Sequence, residues 1–365
     1  MKLLIVSPYF DEHGGGIERV AARSAEALAA EGNVCRWAAT GKGAETISRI
    51  PLAAWDGLSR VAGAPLPLPS PVALARLRKA IHASDAVVIH DALYLSSIAA
   101  MVVAKRAGRP VVLVQHIGLV AYRNPLLRAA MQFADRFVTR PMLHAATRAV
   151  FISAAVRDRF ADIDWRRPPL LLFNGLEAGR FGLPSGEQRA SVREELGVED
   201  DRPLLLFVGR FVEKKGLSAL RQIAAILTGH RFLLAGSGPI DPAAWGLPNV
   251  DCVGPVDRDR LAGLYAAADA FVLPSHGEGY PLVVQEALAC GLPVFAGLDS
   301  AAADPDAARF ITGIEVAPDS PEMTAARFAA AIRDASLHRN AAASDYACAA
   351  YDWSAMARAI AHELT

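Results

Sequence analysis

Cysteine and aromatic residues are scarce in this chain of 365 residues, which has four cysteines and only 7% aromatic residues. The cysteines lie far apart and form no Cys-x-x-Cys pair; they are Cys35, Cys252, Cys290 and Cys348. This spacing argues against a disulfide framework or a zinc site and fits a reducing compartment. The low aromatic content and the many alanines suit helices that pack closely on sheets.

Long apolar runs are also missing. The first residues, MKLLIVSPYF, have too short an apolar run for a signal peptide. The most apolar later stretch, residues 86–104, contains His90 and Asp91 near its start, which is typical of a buried strand and a helix and not of a membrane span. We therefore expect a cytoplasmic protein that is at most peripheral to the inner face of a membrane.

The net charge is zero, but the two halves of the chain differ. Residues 1–185 carry 23 Lys and Arg against 14 Asp and Glu, a balance of +9, and residues 186–365 carry the opposite balance of −9. The first half could face an anionic partner such as a phosphate-rich membrane surface. A purely structural distribution of charge explains the difference equally well, so both interpretations stay open.

Two domains are expected from a chain of this length with 53% apolar residues. Short apolar strands alternate with helices in both halves, which indicates two doubly wound parallel sheets with helices on both faces. The predicted strands are residues 2–7, 34–39, 86–90, 111–115 and 149–153, then 204–209, 231–235, 250–253, 270–274 and 293–296. Residues 65–71 are predicted to form a loop, and residues 176–203 a polar linker and the entry to the second domain. Ligands of such sheets bind beyond the carboxyl ends of the strands.

A run of glycines follows the first strand, in the segment His13-Gly14-Gly15-Gly16-Ile17-Glu18-Arg19. Glycines let the backbone approach a ligand closely, and the N-terminus of the next helix offers free N–H groups to a diphosphate. An ordinary tight turn is the alternative. The segment is not a Gly-x-Gly-x-x-Gly fingerprint, and no suitable acidic residue follows it, which disfavours a dehydrogenase.

Two cations follow the first strand of the second half. Gly209 ends that strand, and Arg210 and Lys215 precede a helix predicted to begin near Leu217. Arg binds phosphate oxygens in a bidentate way and Lys acts as a point charge, so the pair predicts an anion site. A solvated basic loop is the alternative.

Two carboxylates frame the segment 278–287, Glu278-Gly279-Tyr280-Pro281-Leu282-Val283-Val284-Gln285-Glu286-Ala287. The turn after the strand 270–274 is predicted to lead into a helix near Leu282, so Glu278 lies in the loop and Glu286 in the helix. Ionised carboxylates accept hydrogen bonds, and a sugar presents many hydroxyl donors. The alternative is that both acids are solvated.

His116 follows the strand 111–115 and could reach a ligand at that strand end, although a buried or loop histidine is the plainer interpretation. No Asp-x-Asp lies directly at the end of a predicted strand, so we expect no bound metal and no cofactor.

Together these segments resemble glycosyltransferase family 4, a family of retaining enzymes with the two-domain GT-B fold. The resemblance covers nearly the whole chain and is most specific at residues 278–287 and at Gly209, Arg210 and Lys215. It implies an acceptor-side Rossmann-like domain over residues 1–176 and a donor domain over 177–345. It further implies a central cleft between the two domains and a C-terminal helix, 346–365, that returns to the first domain.

The resemblance also implies roles for these residues. Arg210 and Lys215 would bind the donor diphosphate, Glu278 would contact the transferred sugar, and Glu286 would bind the ribose. His116 would lie beside the sugar, and Gly15 and Gly16 would pack against the diphosphate or the acceptor. The remaining donor contacts are implied at Gly209, Val256, Gly279, Tyr280, Pro281 and Leu282. Tyr280 and Pro281 stand where Phe and Gly are commoner, and the residues around the early glycines also differ, which leaves the acceptor open.

The implied activity is retaining transfer of a hexosyl unit from a nucleotide diphosphate sugar to a sugar or lipid-linked acceptor, in the synthesis of cell-envelope polysaccharide or glycolipid. No nucleic-acid partner is expected. The alternatives are a catalytically inactive nucleotide-sugar binding protein and another GT-B enzyme, such as an epimerase or a phosphorylase.

Residues 122–167 are rich in arginine, and a helix within them offers the apolar Leu126, Leu127, Met131 and Phe133. The arginines are Arg123, Arg128, Arg136, Arg140, Arg148, Arg157, Arg159, Arg166 and Arg167. A basic helix with exposed apolar residues could rest on an anionic leaflet. The alternative is that the apolar side chains belong to the core.

Overall fold

The computed structural model describes residues 1–13, 15–41, 48–55, 67–118, 125–177, 179–198 and 202–365. Gly14, Arg123 and the start of the predicted loop at 65–71 lie outside these residues. The chain divides into two compact units. Unit 1 comprises Met1–Gly175 and Trp353–Thr365, and unit 2 comprises Leu176–Asp352. The last helix of the chain therefore belongs to unit 1.

Within the described residues, unit 1 contains a parallel sheet of seven strands in the order β3-β2-β1-β6-β7-β8-β9. Its strands are β1 (Lys2–Tyr9), β2 (Val34–Thr40), β3 (Arg49–Leu52), β6 (Ala86–His90), β7 (Val111–Gln115), β8 (Arg148–Phe151) and β9 (Leu170–Leu171). A short antiparallel pair, β4 (Ala54–Trp55) and β5 (Leu68–Pro69), lies apart from it. The central strands are buried throughout, which explains their unbroken runs of Val, Ile and Leu.

Helices cover both faces of this sheet. They are α1 (Gly16–Ala30), α2 (Pro71–His82), α3 (Leu95–Arg106), α4 (Pro125–Ala134), a π-helical turn (Asp135–Thr139), α5 (Arg140–Ala145), α6 (Ala154–Asp158) and, at the C-terminus, α14 (Trp353–His362). One core packs α2 and α3 against the sheet, and the other packs α1 and α14 against the opposite face. The side chains of α14 that complete the second core are Met356, Ala357 and Ile360.

Unit 2 repeats the plan with a six-stranded parallel sheet in the order β12-β11-β10-β13-β14-β15. Its strands are β10 (Leu204–Val208), β11 (Arg231–Ala235), β12 (Val250–Gly254), β13 (Ala270–Leu273), β14 (Val294–Gly297) and β15 (Ile311–Ile314). Its α-helices are α7 (Gly186–Glu195), α8 (Leu217–Ile226), α9 (Arg258–Ala267), α10 (Leu282–Ala289), α11 (Leu298–Ala301), α12 (Pro321–Arg333) and α13 (Ala341–Ala350). Because β10 and β13 are neighbours, the loops that follow them lie side by side.

Some expectations about single elements were wrong. The stretch 176–203 belongs to the second unit, as expected, but it contains an unpredicted helix, α7, which begins with a capping box at Ser185. Arg189 and Arg193 of α7 donate to carbonyl groups at the end of α9, so this polar helix is stabilised by hydrogen bonds and not by an apolar face. Within 65–71, Leu68–Pro69 is a strand and Ser70 caps α2. The strands β3, β4, β9 and β15 were not predicted.

Candidate functional site

Two loops meet at the carboxyl edge of the unit 2 sheet: the 209–216 loop after β10 and the 275–281 turn after β13. Gly216 has a φ of 77° and a Cβ atom there would lie 2.1 Å from the carbonyl oxygen of Pro274, so the two backbones touch. This close approach explains the glycine. Further along, the backbone N–H of His276 donates to the carbonyl of Lys214 at 3.4 Å.

Lys215 and Glu278, which the sequence placed in separate motifs, form an ion pair across this junction. Lys215 Nζ lies 3.0 Å from Glu278 Oε1, and both side chains are largely buried, with 19% and 15% of their surface exposed. Arg210 lies exposed at the start of the same loop. The 209–216 loop thus carries the exposed guanidinium of Arg210 and the ammonium of Lys215, whose charge a carboxylate already balances. An anion with more than one negative charge can compete with Glu278 for that ammonium.

Glu286 lies on α10 and is buried, so it is not a solvated surface acid. Its Oε2 accepts a hydrogen bond from the hydroxyl of Tyr265 at 2.9 Å, and that hydroxyl also contacts the carbonyl of Val283 at 3.1 Å. Helix α10 begins at Leu282 with Pro281 at its N-cap position. Glu278 and Gly279 are therefore in the turn and Glu286 is in the second turn of the helix.

The remaining predicted donor residues of unit 2 lie at the same sheet edge. Gly209 follows β10, and its N–H donates to the carbonyl of Ala235 at 3.0 Å. Val256 is half-buried in the loop after β12, where the N–H of Gly236 donates to the carbonyl of Gly254 at 2.8 Å. Sequence reasoning missed Gly236, whose Cβ would lie 1.9 Å from the carbonyl oxygen of Gly209. These backbone contacts hold the loops after β10, β11 and β12 close to one another.

The glycine run of unit 1 surrounds the N-terminus of α1. Gly15 is the N-cap residue and Gly16 is the first residue of the helix. A Cβ atom at Gly15 would lie 2.0 Å from a carboxylate oxygen of Glu18, whereas one at Gly16 would meet nothing within 4 Å. The buried Glu18 carboxylate thus lies against Gly15, and it shares the end of the helix that favours negative charge. Sequence reasoning did not foresee that the Glu18 carboxylate would compete with any anion at the N-terminus of α1.

His116 lies directly after β7 and is buried against a second histidine. Its Nε2 is 3.0 Å from Nδ1 of His90, the last residue of the neighbouring strand β6. Burial lowers the pKa of His90 to about 3, and burial together with His90 holds the pKa of His116 well below its ordinary value. Both imidazoles are therefore neutral, and one donates to the other. The position of each histidine at the end of a predicted strand, His90 closing one and His116 following the next, was the available sequence signal for the pair.

Asp91 follows His90 in a left-handed conformation, with a φ of 68°. Its Oδ1 accepts a hydrogen bond from Gln115 Nε2 at 2.6 Å, so the ends of β6 and β7 are tied by side chains as well as by backbone. Asp91 lines a cavity of about 30 Å³ together with Asp135 and Thr139. This volume holds one or two water molecules but not a sugar ring.

Among the described residues, no group of three His, Cys, Asp or Glu side chains is placed to hold a metal ion. The helices in the same part of the chain include none that is long and apolar enough to cross a membrane.

Comparison with known proteins bears on both units. The model of Glycosyltransferase Family 4 matches residues 14–176, and that of Glycosyl transferases group 1 matches residues 202–334. The chain is 31% identical over 311 residues to the D-inositol 3-phosphate glycosyltransferase of Frankia alni, a match that covers 75% of the chain and 72% of that relative. Three other curated relatives are matched over only 35%, 39% and 38% of their own length.

Solved structures resemble the chain over its full length. The sucrose-phosphate synthase of Thermosynechococcus elongatus superposes with a TM-score of 0.72 and 20% identity, covering 99% of this chain and 98% of that one. Anabaena HepE in complex with UDP gives the same TM-score at 18% identity and covers 100% and 99%. These likenesses define the class, since both units together have the GT-B fold of glycosyltransferases. The chain belongs to glycosyltransferase family 4.

Proposed function

We propose that the chain is a retaining glycosyltransferase that moves a hexosyl unit from a nucleotide diphosphate sugar to a sugar or lipid-linked acceptor without a metal ion. Family membership supports the reaction class. The donor class is supported by the site in unit 2 and by HepE, whose structure has also been solved with UDP-glucose. The proposed setting is the synthesis of cell-envelope polysaccharide or glycolipid.

The observation that carries the proposal is the junction of Arg210, Lys215 and Glu278. A nucleotide diphosphate sugar brings a diphosphate and a set of hydroxyls side by side. The junction has the ammonium of Lys215 3.0 Å from the Glu278 carboxylate, and Arg210 is exposed in the same loop. When the diphosphate draws Lys215 away, Glu278 is left with open acceptor positions for sugar hydroxyls. Glu286, which Tyr265 holds in place, is proposed to accept from the ribose hydroxyls.

The chemistry follows from these charges. The bond between the anomeric carbon and the diphosphate oxygen breaks, which leaves positive charge on the sugar and negative charge on the diphosphate. Arg210 and Lys215 stabilise the second charge as it develops. The acceptor oxygen bonds to the anomeric carbon on the face that the diphosphate leaves, and its proton passes to a diphosphate oxygen. Attack on that face retains the anomeric configuration and requires no protein nucleophile.

His116 is proposed to lie beside the transferred sugar. Because its imidazole is neutral, it offers a hydrogen bond and no positive charge, and so it does not disfavour the cationic sugar. The hydrogen bond to His90 fixes the orientation of the ring.

A lipid-linked acceptor is favoured by an exposed apolar face on unit 1. Leu126, Phe133 and Phe137 are 81%, 64% and 57% exposed along α4 and the following π-helical turn. Arg128 and Arg136 are exposed on the same segment. We propose that this face rests on an anionic membrane, because exposed aromatic and basic side chains together suit the lipid headgroup region.

Donor binding and hydrolysis test the proposal. UDP-glucose, GDP-mannose and ADP-glucose, each alongside its nucleoside diphosphate, are added to the purified full chain and the melting temperature is recorded. A rise with one nucleotide series is expected, because a ligand that binds only the folded state stabilises it. Slow release of free sugar from that donor without acceptor identifies an enzyme, whereas binding without hydrolysis or transfer identifies an inactive binding protein. A changed sugar still attached to the nucleotide identifies an epimerase.

A further inference from the structure

Three tyrosine hydroxyls are joined to one buried carboxylate in unit 2. The hydroxyl of Tyr351 donates to Oδ2 of Asp304 at 2.7 Å, and the hydroxyl of Tyr346 donates to the same oxygen at 2.9 Å. The hydroxyl of Tyr280 lies 2.6 Å from that of Tyr351. Asp304, Tyr280 and Tyr351 are all buried.

The donor and the acceptor of each of these hydrogen bonds can be assigned by counting the hydroxyl protons. A phenol has a single proton, and that of Tyr351 goes to the carboxylate of Asp304. The short contact between the two phenols therefore has Tyr280 as donor and Tyr351 as acceptor. The result is a chain of hydrogen bonds from Tyr280 through Tyr351 to Asp304, in which each bond strengthens the next. We call these three residues the tyrosine relay.

The carboxylate end of the relay is fixed. Oδ1 of Asp304 accepts from the backbone N–H groups of Asp306 at 3.0 Å and Ala307 at 3.4 Å. Burial raises the pKa of the Tyr280 and Tyr351 hydroxyls far above their ordinary value, so both hydroxyls keep their protons near neutral pH.

The relay joins two functionally different segments. Tyr280 lies in the 275–281 turn, two residues after Glu278, and Tyr351 caps the C-terminus of α13. The carbonyl of Tyr351 accepts from the N–H of Leu176 at 2.9 Å, and Asp352 pairs with Leu176 as an isolated bridge. Leu176 and Asp352 are the first and last residues of unit 2. The first residue of the relay therefore lies in the candidate site, and its middle residue, Tyr351, lies at the ends of the unit.

Two further attachments of the turn are weaker or more exposed. The N–H of Gly277 donates to the exposed Asp299 at 3.1 Å, and the bond from His276 to the carbonyl of Lys214 is 3.4 Å long. The pair of Lys215 and Glu278 is the contact that a diphosphate is proposed to open. When that contact opens, the buried hydrogen bond from Tyr280 remains to hold the turn.

We propose that Tyr280, Tyr351 and Asp304 are positioning residues that hold the 275–281 turn so that Glu278 meets the transferred sugar after Lys215 has turned to the diphosphate. The inference rests on the proposed function. It assigns the relay an effect on recognition of the sugar and none on recognition of the nucleoside diphosphate, which Arg210 and Lys215 bind.

Calorimetric titration of four proteins tests the inference: the wild type and the variants Tyr280→Phe, Tyr351→Phe and the double variant. Each is titrated with whichever of UDP-glucose, GDP-mannose or ADP-glucose the wild type binds, and with the matching nucleoside diphosphate. Each single variant should bind the sugar nucleotide about 3- to 10-fold more weakly, the range of one neutral hydrogen bond, with affinity for the nucleoside diphosphate within about twofold. The double variant should be little worse than Tyr351→Phe, because one chain of bonds is broken in each case.

Tyr346→Phe is the matched control. It removes a hydroxyl bond to the same Asp304 oxygen but leaves the contact of Tyr280 with Tyr351 in place. A purely structural network would give equal losses of melting temperature in Tyr346→Phe and Tyr280→Phe and an unchanged ratio of the two affinities in both. That result overturns the inference and leaves the proposed function standing. If the wild type binds none of the three donors or their nucleoside diphosphates, the proposed function fails and the inference falls with it.

Discussion

Arg210 and Lys215 carry the positive charge that the proposed reaction needs beside the leaving diphosphate. Arg210→Ala and Lys215→Ala should each lower turnover about a hundredfold or more, since the lost interaction grows as charge develops on the leaving group. Steady-state kinetics with the donor identified by binding measures the effect. Arg221→Ala removes an exposed cation from α8 and should leave turnover nearly unchanged.

The ion pair of Lys215 with Glu278 makes the Lys215 result ambiguous by itself, because the variant also leaves a largely buried carboxylate without its partner. The double variant Lys215→Ala/Glu278→Gln removes that carboxylate charge. Turnover should stay low in the double variant if Lys215 acts on the diphosphate. Recovery to near wild-type turnover would mean that Lys215 only neutralises Glu278.

The histidine pair predicts how stability depends on pH. The pKa of His90 is lowered to about 3 in the folded chain, so between roughly pH 6.5 and 3 the unfolded chain binds a proton that the folded chain does not. Stability should therefore fall with falling pH across this window, by about 1.4 kcal/mol per pH unit for each such histidine.

Melting temperatures at pH 7.5 and pH 5.0 check this dependence. His90→Gln keeps a side chain that can meet His116 but cannot be protonated, so it should lose less stability than the wild type between the two pH values. His338→Gln, at an exposed position, should track the wild type. Equal pH dependence in the wild type and His90→Gln would contradict a buried neutral imidazole at this position.

At the scale of single elements, the junction of the 209–216 loop with the 275–281 turn depends on the absence of a side chain at Gly216. Gly216 and Gly246 both have positive φ values, 77° and 69°, but only a Cβ at Gly216 meets another backbone. Gly246→Ala should cost about 1 kcal/mol of left-handed strain. Gly216→Ala should cost roughly 1–3 kcal/mol more, since Pro274 must move. Thermal unfolding compares the two, and donor binding should weaken only in Gly216→Ala.

The strands whose bounds the sequence predicted without error are those that bury nearly all of their residues. The strands at 86–90, 111–115 and 231–235 have unbroken apolar runs, and the structure has the same bounds for all three. Helix α7 was missed because it has no buried residues, and its stability depends on Arg189 and Arg193 reaching the end of α9. Hydrogen bonds to another helix leave no periodic pattern of apolar residues in the local sequence, so the sequence does not reveal them.

The candidate site shows the same limit. Motifs at strand ends located Arg210, Lys215 and Glu278 because parallel strands bring their carboxyl ends to one edge. Tyr280 and Tyr351 are 71 residues apart, and Tyr351 and Asp304 are 47 apart, so their joining could not be predicted from spacing. Residues that bind a ligand tend to lie in loops at predictable strand ends. The residues that support those loops come from elements that are distant in the sequence and pack against the loops only in the folded chain.

At the scale of the whole molecule, the reaction is proposed to need no metal ion in any part of its cycle. Transfer should therefore continue in excess EDTA, because Arg210 and Lys215 already oppose the charge of the diphosphate. Rates with and without chelator measure the effect. Complete loss of transfer with EDTA, restored by magnesium or manganese, would show that a divalent ion shares this task.

The arginine-rich region of unit 1 is only partly available to a membrane. Arg140 pairs with Asp135 and Asp162, and Arg148 and Arg167 both pair with Glu363, so these arginines serve the fold. The exposed apolar face, in contrast, is available to a membrane. Phe133 and Phe137 are both exposed to solvent, and the centroids of their rings are 4.5 Å apart. Leu127 and Met131 are half-buried, which means that only part of the predicted apolar set belongs to the core.

Vesicle sedimentation tests this face. The wild type should sediment with vesicles that contain anionic phosphatidylglycerol and not with neutral phosphatidylcholine, and added salt should weaken binding because it screens the arginines. Phe133→Ser/Phe137→Ser should reduce binding, since each aromatic side chain loses apolar area buried in the lipid. Trp55→Ser is the matched control, because Trp55 is 62% exposed elsewhere on unit 1. Equal absence of binding to both kinds of vesicle would refute the membrane contact and favour a soluble sugar as acceptor.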